Sequence, residues 1–217
     1  MNAAIMDDFI VKVYCQELAT QCRFALNAIR QINTALTAST SRQSPSLYQT
    51  YGDNAEVFRG IHSFLTHASN VSRILWPPGP RKRNEESQPE YKARQRQAKE
   101  RGLVLRAWLG IPNDKHSMKD RTLRDHLEHF DERLDDWQAT TPRLILLQDY
   151  IGPPDGIVGI EPGDRMRSFD PKTRLFHFRG HRFNIQSLAT AIDQLLPVVI
   201  REAETYGPSN PEDRDGD

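Results

Sequence analysis

One short stretch of the chain, TLRDHLEHFDERLDDW at residues 122–137, holds side chains whose types and spacing could catalyse a reaction. Arg124 is followed directly by Asp125 and, after four intervening residues, by His129. Histidine exchanges protons near neutral pH, so it suits general acid or base catalysis. A guanidinium can bind a phosphate through two parallel hydrogen bonds while negative charge develops there. The stretch therefore holds a candidate general acid or base, His129, and a candidate phosphate-binding cation, Arg124.

The same stretch has the periodicity of an amphipathic helix, which we predict from about Ser117 to Gln138. At about 100° per residue, five apolar side chains share one stripe: Leu123, Leu127, Phe130, Leu134 and Trp137. Arg124 and His129 fall on opposite flanks of this stripe, about 140° apart. A second copy of the helix, related by a twofold axis, would bring the two side chains together more easily than one copy does. The alternative interpretation is that these charged residues form ordinary surface ion pairs.

The sequence RDHLEH at 124–129, on a late helix of an all-α arrangement, resembles the signature of the HEPN superfamily. These helical proteins include many RNA-cleaving toxins and antiphage effectors, and Asn, Asp or His commonly follows the motif Arg, as Asp125 does here. The resemblance covers about residues 5–140. It implies a metal-independent endoribonuclease that works as a homodimer on RNA, with Arg124, Asp125 and His129 as catalytic residues. Members controlled by adenylylation have a Tyr two residues after the motif His; Asp131 stands there in this chain, so that control is not expected.

A basic segment precedes the motif. Between Arg81 and Arg106 there are nine Lys or Arg residues and four Asp or Glu residues. This excess indicates either a solvated helix face or a surface for an anionic partner such as RNA. The candidate nucleic-acid-binding residues are Lys92, Arg94 and Arg96.

Two other classes of function stay open. Asp125, His126 and His129 have spacings that could hold a divalent ion on one helix, with His62 and His67 as further ligands from a second helix. Alternatively, the charged helix belongs to a non-catalytic interaction module. The interpretation that we favour from the motif needs no metal and no cofactor.

The periodicity of apolar residues predicts a mainly α fold, a helical bundle with a small C-terminal β-hairpin and a final helix. The predicted helices, apart from the one that carries the motif, span about residues 4–36, 54–75, 91–109 and 186–204. The segment PRLILLQDYIG is a strand or a short helix, and DRMRSFDPKTRLFHFRGHRFNI alternates around a DPKT turn. Any sheet should therefore lie between about Pro142 and Asn184.

We expect residues 1–141 to form the HEPN-like bundle and residues 142–206 to form a hairpin and helix packed on it. Residues 207–217 have the composition of a disordered acidic tail.

The 217 residues include 29 basic and 29 acidic side chains, so the net charge is zero. This balance argues against bulk attraction to nucleic acid or membrane, although a local patch can still act. No apolar run is long enough to cross a bilayer, and no secretory signal is visible. Cys15 and Cys22 are seven residues apart on one predicted helix, too far for a disulfide. We therefore expect a cytoplasmic protein with reduced thiols.

Overall fold

The computed structural model describes residues 7–41, 47–112, 116–119, 130–141, 143, 145–179 and 181–205. In chain order the elements are α1 (Asp8–Ser41), α2 (Leu47–Leu75), α3 (Gln88–Trp108), a 3-10 helix (Ser117–Lys119), α4 (Phe130–Thr140), β1 (Leu147–Ile151), a 3-10 helix (Pro162–Asp164), β2 (Arg165–Asp170), β3 (Leu175–Phe178), β4 (His181–Asn184) and α5 (Ile185–Thr205). The described chain is mainly helical, with one small sheet and a final helix. The prediction of a mainly α fold with a C-terminal β element is confirmed at this level.

The helix that was predicted over 117–138 is described only in part. A 3-10 helix occupies Ser117–Lys119, and α4 continues to Thr140. Residues 120–129 lie outside the described part of the chain. The three described residues of the predicted apolar stripe, Phe130, Leu134 and Trp137, all pack against the core as expected.

The start of α3 is fixed by a capping box. The Ser87 hydroxyl accepts a hydrogen bond from the Glu90 backbone N–H, and the Glu90 side chain accepts one from the Ser87 backbone N–H. These contacts satisfy amide groups that have no partner inside the helix. The pattern Ser-x-x-Glu is visible in the sequence, yet the helix was predicted to begin only at Tyr91.

The sheet is larger than the predicted hairpin. Its strands follow the order β1-β2-β3-β4; β1 is parallel to β2, and the other two pairs are antiparallel. β2 and β3 form the hairpin expected around the DPKT turn, where the Asp170 carboxylate accepts from the Lys172 backbone N–H and the Thr173 hydroxyl. PRLILLQDYIG contributes a strand, not a helix. The described strands all lie within the predicted range of 142–184.

The core joins the helices to the sheet. α1 packs along α2 and also against α5. One continuous cluster of buried apolar side chains includes Leu18 and Ile32 of α1, Phe64 of α2, Phe176 of β3 and Ile192 of α5. The residues predicted as the N-terminal bundle and those predicted as the C-terminal appendage therefore share this core. Cys15 and Cys22 are free and buried, and burial raises the pKa of their thiols to about 11 and about 12.

The position of α3 depends on Gly102, which is buried against the turn that follows α2. A Cβ atom at this position would lie 2.5 Å from the Pro77 Cδ and 2.7 Å from the Leu75 carbonyl oxygen. Arg106, one turn later, is also buried and donates to the same carbonyl. Its guanidinium lies 5.3 Å from the centre of the Trp76 ring. α3 is thus fixed by its second half, and its first half extends with most of its surface in solvent.

Candidate functional site

The residues predicted to do the chemistry, Arg124, Asp125 and His129, lie outside the described residues, as does His126. The structure does describe the chain on both sides of them. On one side is the 3-10 helix that ends at Lys119, and on the other is α4.

The 3-10 helix is attached to the core. Met118 is fully buried, and its backbone N–H donates to the His116 Nδ1 at 3.3 Å. The His116 ring lies on Trp76, with ring centres 5.4 Å apart. Burial lowers the pKa of His116. The residues before the motif are therefore held by apolar packing and by the contacts of His116.

α4 is attached to the core by aromatic side chains. The Trp137 Nε1 donates to the Ile145 carbonyl at 3.0 Å, and the Phe130 ring meets the Phe178 ring with centres 6.2 Å apart. The first contact joins α4 to the segment that leads into β1, and the second joins α4 to β3. Asp131 and Glu132, on the outward side, are exposed.

Beneath the start of α4 lies an ion pair between two strands. The Arg167 Nε is 2.8 Å from the Asp149 Oδ1, and the Arg167 Nη2 donates to the Asp149 Oδ2 at 3.0 Å. The two residues are direct neighbours in the parallel pairing of β1 and β2. The Arg167 guanidinium lies 5.2 Å from the centre of the Phe130 ring and 5.8 Å from that of the Phe58 ring. One flat cation thus contacts α2, α4 and the sheet.

Burial determines the electrostatics of this pair. Desolvation raises the pKa of Asp149 above its ordinary value, although the charge and hydrogen bond of Arg167 act in the opposite direction. No local sequence pattern indicates the pair, because the two residues are 18 positions apart and meet only through strand pairing.

The three predicted nucleic-acid-binding residues on α3 do not share a surface. Arg94 turns back to the preceding loop, where its Nε lies 2.5 Å from the Glu86 Oε1 and its Nη2 donates to the Arg81 carbonyl at 2.9 Å. Lys92 and Arg96 are exposed. Side chains two residues apart on a helix point about 200° apart, whereas those four apart share a face.

A basic stripe is nevertheless present on α3. Lys92, Arg96 and Lys99, which we name the α3 basic stripe, fall within about 60° of one another around the helix axis and are all exposed. Lys99 is a residue that the sequence reasoning missed, although its spacing from Arg96 and Lys92 was sufficient to find it. The stripe presents three cations along one side of the helix.

The ion pair between Arg94 and Glu86 has a structural role. Glu86 accepts from Arg94 and from the Arg83 backbone N–H, and these hydrogen bonds lower the pKa of Glu86 to about 2. The pair fixes the loop that leads into α3. Arg94 is thereby turned away from the stripe.

The second-helix histidines considered as metal ligands are not placed as a pair. His62 is exposed, whereas the His67 Nδ1 donates to the Gln21 Oε1 at 2.8 Å and its ring lies 5.1 Å from the Phe24 ring. Among the described residues, no group of three or more His, Cys, Asp or Glu side chains is arranged to hold a metal ion. His177 and His181 occupy adjacent strands of the sheet.

No helix in the described ranges has the length and apolar character needed to cross a membrane. Comparison of the chain with protein-family models, with curated proteins and with solved structures found no match.

Proposed function

We propose that this protein is a HEPN-like, metal-independent endoribonuclease, of the kind found among toxins and phage-defence proteins, with a composite Arg/His site in a homodimer. The observation that carries the proposal is the motif at 124–129, in which Arg124 and Asp125 precede His129 at the spacing of that superfamily. In the dimer, the helical bundles of two protomers place their motifs along one cleft. No metal or cofactor takes part.

The reaction proceeds by attack of a ribose 2′-oxygen on the adjacent phosphorus. The bond from phosphorus to the 5′-oxygen breaks, which leaves a 2′,3′-cyclic phosphate and a 5′-hydroxyl. His129 accepts the proton of the 2′-hydroxyl and returns a proton to the departing 5′-oxygen, Arg124 binds the phosphate as its charge increases, and Asp125 orients one of them by a hydrogen bond. Arg124 cannot be replaced by lysine, because lysine lacks the planar pair of donors.

The α3 basic stripe supports RNA as the partner. Its three exposed cations can neutralise phosphates along a strand without reading sequence, which is the usual source of affinity for RNA backbones. The net charge of the whole chain is zero, and this does not prevent a local basic surface from binding RNA. Arg94 contributes to binding only through the loop that it fixes.

A non-catalytic interaction module is the alternative, and one observation favours it. Phe9, Ile10 and Val13, at the start of α1, are between 43% and 67% exposed. Three neighbouring exposed apolar side chains are typical of a surface that meets another protein. A metal-binding bundle is a second alternative, and it would need His126 and His129 as ligands.

Cleavage of a single-stranded RNA in the presence of excess chelator tests the proposal. Wild type should cut the RNA, and His129→Ala should be slower by about a hundredfold or more, the usual contribution of a general acid or base. His62→Ala, which removes an exposed histidine from α2, is the matched control and should keep full activity.

Three outcomes would contradict the proposal. Equal rates for wild type and His129→Ala would remove the catalytic assignment. Activity that disappears with chelator and returns with a divalent ion would favour the metal alternative. A folded protein that neither binds nor cuts RNA would leave the interaction module.

A further inference from the structure

One face of the sheet carries a row of polar side chains, one from each strand. The pairing registers place the four directly beside one another: Tyr150 of β1, Ser168 of β2, His177 of β3 and Arg182 of β4. Successive side chains of a strand point to opposite faces, so this row lies on the other face of the sheet from the buried ring of Phe176. A histidine and an arginine are therefore neighbours on that face.

The two ends of the row differ in exposure. At the β1 end, Tyr150 is half-buried, and its hydroxyl occupies the space beside Gly156, where a Cβ atom would clash with it. Ser168, the next in the row, is buried. At the other end, His177 is half-buried, and Arg182 is exposed on the edge strand. A ligand from solvent therefore meets the row at His177 and Arg182.

His177 has an unused hydrogen-bonding atom. Its Nε2 is buried and has no hydrogen-bond partner among the described residues. Buried polar atoms are normally paired, so an unpaired ring nitrogen indicates either strain or the place of a ligand. The torsion that turns a histidine ring is broad, so the ring can direct this nitrogen towards Arg182 at small cost.

The charges around His177 favour an anion. Burial, Arg182 and Arg165 all lower the pKa of this imidazole, and only Asp170 acts in the opposite direction. The Asp170 carboxylate already accepts two hydrogen bonds within its own turn. Arg182 forms no ion pair with any residue in the described ranges. Because like charges opposite each other destabilise a strand pair, a bound anion would stabilise this one.

We propose that His177 and Arg182 form a binding site for an oxyanion of the phosphate class on this face of the sheet. The Arg182 guanidinium binds two oxygens of the anion, and the His177 Nε2 donates to a third. The bound anion favours the protonated imidazole, so binding and protonation reinforce each other. The same chemical group occurs in free phosphate and in the RNA backbone, and the site does not depend on the proposed nuclease chemistry.

The ring signals of His177 in the NMR spectrum of the full-length protein test the site. Its pKa is measured in inorganic phosphate and in sodium chloride of the same ionic strength. We expect phosphate to raise the pKa of His177 above its value in chloride, with a saturable dependence on phosphate concentration. His62, an exposed histidine of α2, is the internal control and should respond equally to the two salts.

Two variants separate the site from general electrostatics. Without phosphate, Arg182→Gln should raise the pKa of His177, because it removes a like charge. The same variant should weaken phosphate binding by about tenfold or more, since it loses hydrogen bonds to a charged group. Arg23→Gln removes an exposed arginine from α1 and is the control matched in charge. It should leave both quantities unchanged.

A titration with a short single-stranded RNA distinguishes the two sources of the anion. A response of the His177 ring to RNA would identify the backbone phosphate as the ligand, and a response to inorganic phosphate alone would identify a small phosphate compound; both support the site. Equal pKa values of His177 in phosphate and in chloride would overturn it, since screening would then explain the response. Phosphate bound by Arg182→Gln as tightly as by wild type would overturn it as well.

Discussion

Two arginine–carboxylate pairs in this protein differ in geometry and in consequence: Arg94 donates to both oxygens of Glu86, whereas Arg167 donates only its Nη2 to Asp149. Arg94 and Glu86 are eight positions apart, and their pair fixes a surface loop at the start of α3. Arg167 and Asp149 come from different strands, and their pair supports α4 between two aromatic rings. The difference shows that an ion pair affects more of the fold when it connects distant elements and is covered by apolar groups.

The carboxylates of the two pairs also titrate in opposite directions. Hydrogen bonds from Arg94 and from a backbone amide dominate at Glu86 and lower its pKa. Desolvation dominates at Asp149 and raises its pKa. The same partner chemistry therefore stabilises the charge in one place and only partly offsets its burial in the other.

The largest expected effect is on stability. Arg167→Met should lower the free energy of unfolding by about 1–3 kcal/mol, since it leaves the Asp149 carboxylate half-buried without its cation; partial exposure keeps this below the cost for a fully buried pair. Urea denaturation measures it, with Arg94→Met as the control. Equal losses in the two variants would remove the contrast between the pairs.

The second expected effect is on RNA binding. Replacing Lys92, Arg96 and Lys99 together by Ala should weaken binding and reduce the slope of log affinity against log salt by about 2, at about 0.7 per phosphate contact for a single strand. The chemical step measured at saturating enzyme should stay the same. An unchanged salt slope would mean that RNA does not lie on the α3 basic stripe.

The third expected effect is on the pH dependence of stability, to which Glu86 and Asp149 should contribute with opposite signs. The folded pKa of Glu86 is about 2 against an ordinary 4.5, so its stabilisation is present above pH 4.5 and is lost as pH falls towards 2. The folded pKa of Asp149 is above its ordinary 3.8, so its contribution is greatest at low pH and declines as pH rises past 3.8.

Melting temperatures of wild type, Glu86→Gln and Asp149→Asn, measured from about pH 2 to about pH 7, test this difference in sign. Glu86→Gln should flatten the acid limb of the wild-type curve. The difference in melting temperature between wild type and Asp149→Asn should decrease as the pH rises. Two difference curves of the same sign would contradict the account of the pKa shifts.

The smallest expected effect is that of Arg94→Ala. Because Arg94 faces the loop and not the stripe, its loss should leave the salt slope of RNA binding unchanged. A slope reduced as much as by Lys92→Ala would place Arg94 on the RNA surface after all.

The sequence was sufficient for the elements whose signals are local. Apolar periodicity located α1, α2 and α5, and the DPKT turn located the β2–β3 hairpin. The start of α3 was also readable from Ser87 and Glu90, and the separation of Arg94 from its neighbours follows from helix geometry alone.

Other features depend on contacts between distant parts of the chain. The parallel pairing of β1 with β2 has no short sequence motif, because parallel strands are joined by a long crossover connection and not by a tight turn. The contacts of Arg167 depend on that pairing and on the approach of Phe58 and Phe130, so no local sequence pattern could have indicated them. Arg124, Asp125 and His129 remain predictions from the motif.

The composite site is tested most directly by mixing two inactive variants. If Arg124 of one protomer works with His129 of the other, a heterodimer of Arg124→Ala and His129→Ala contains one site with both native residues and one with neither. Random exchange should then restore RNA cleavage to about a quarter of the wild-type activity, because about half of the dimers are mixed and each has one of two sites intact. No recovery on mixing, with dimer exchange verified, would contradict the account.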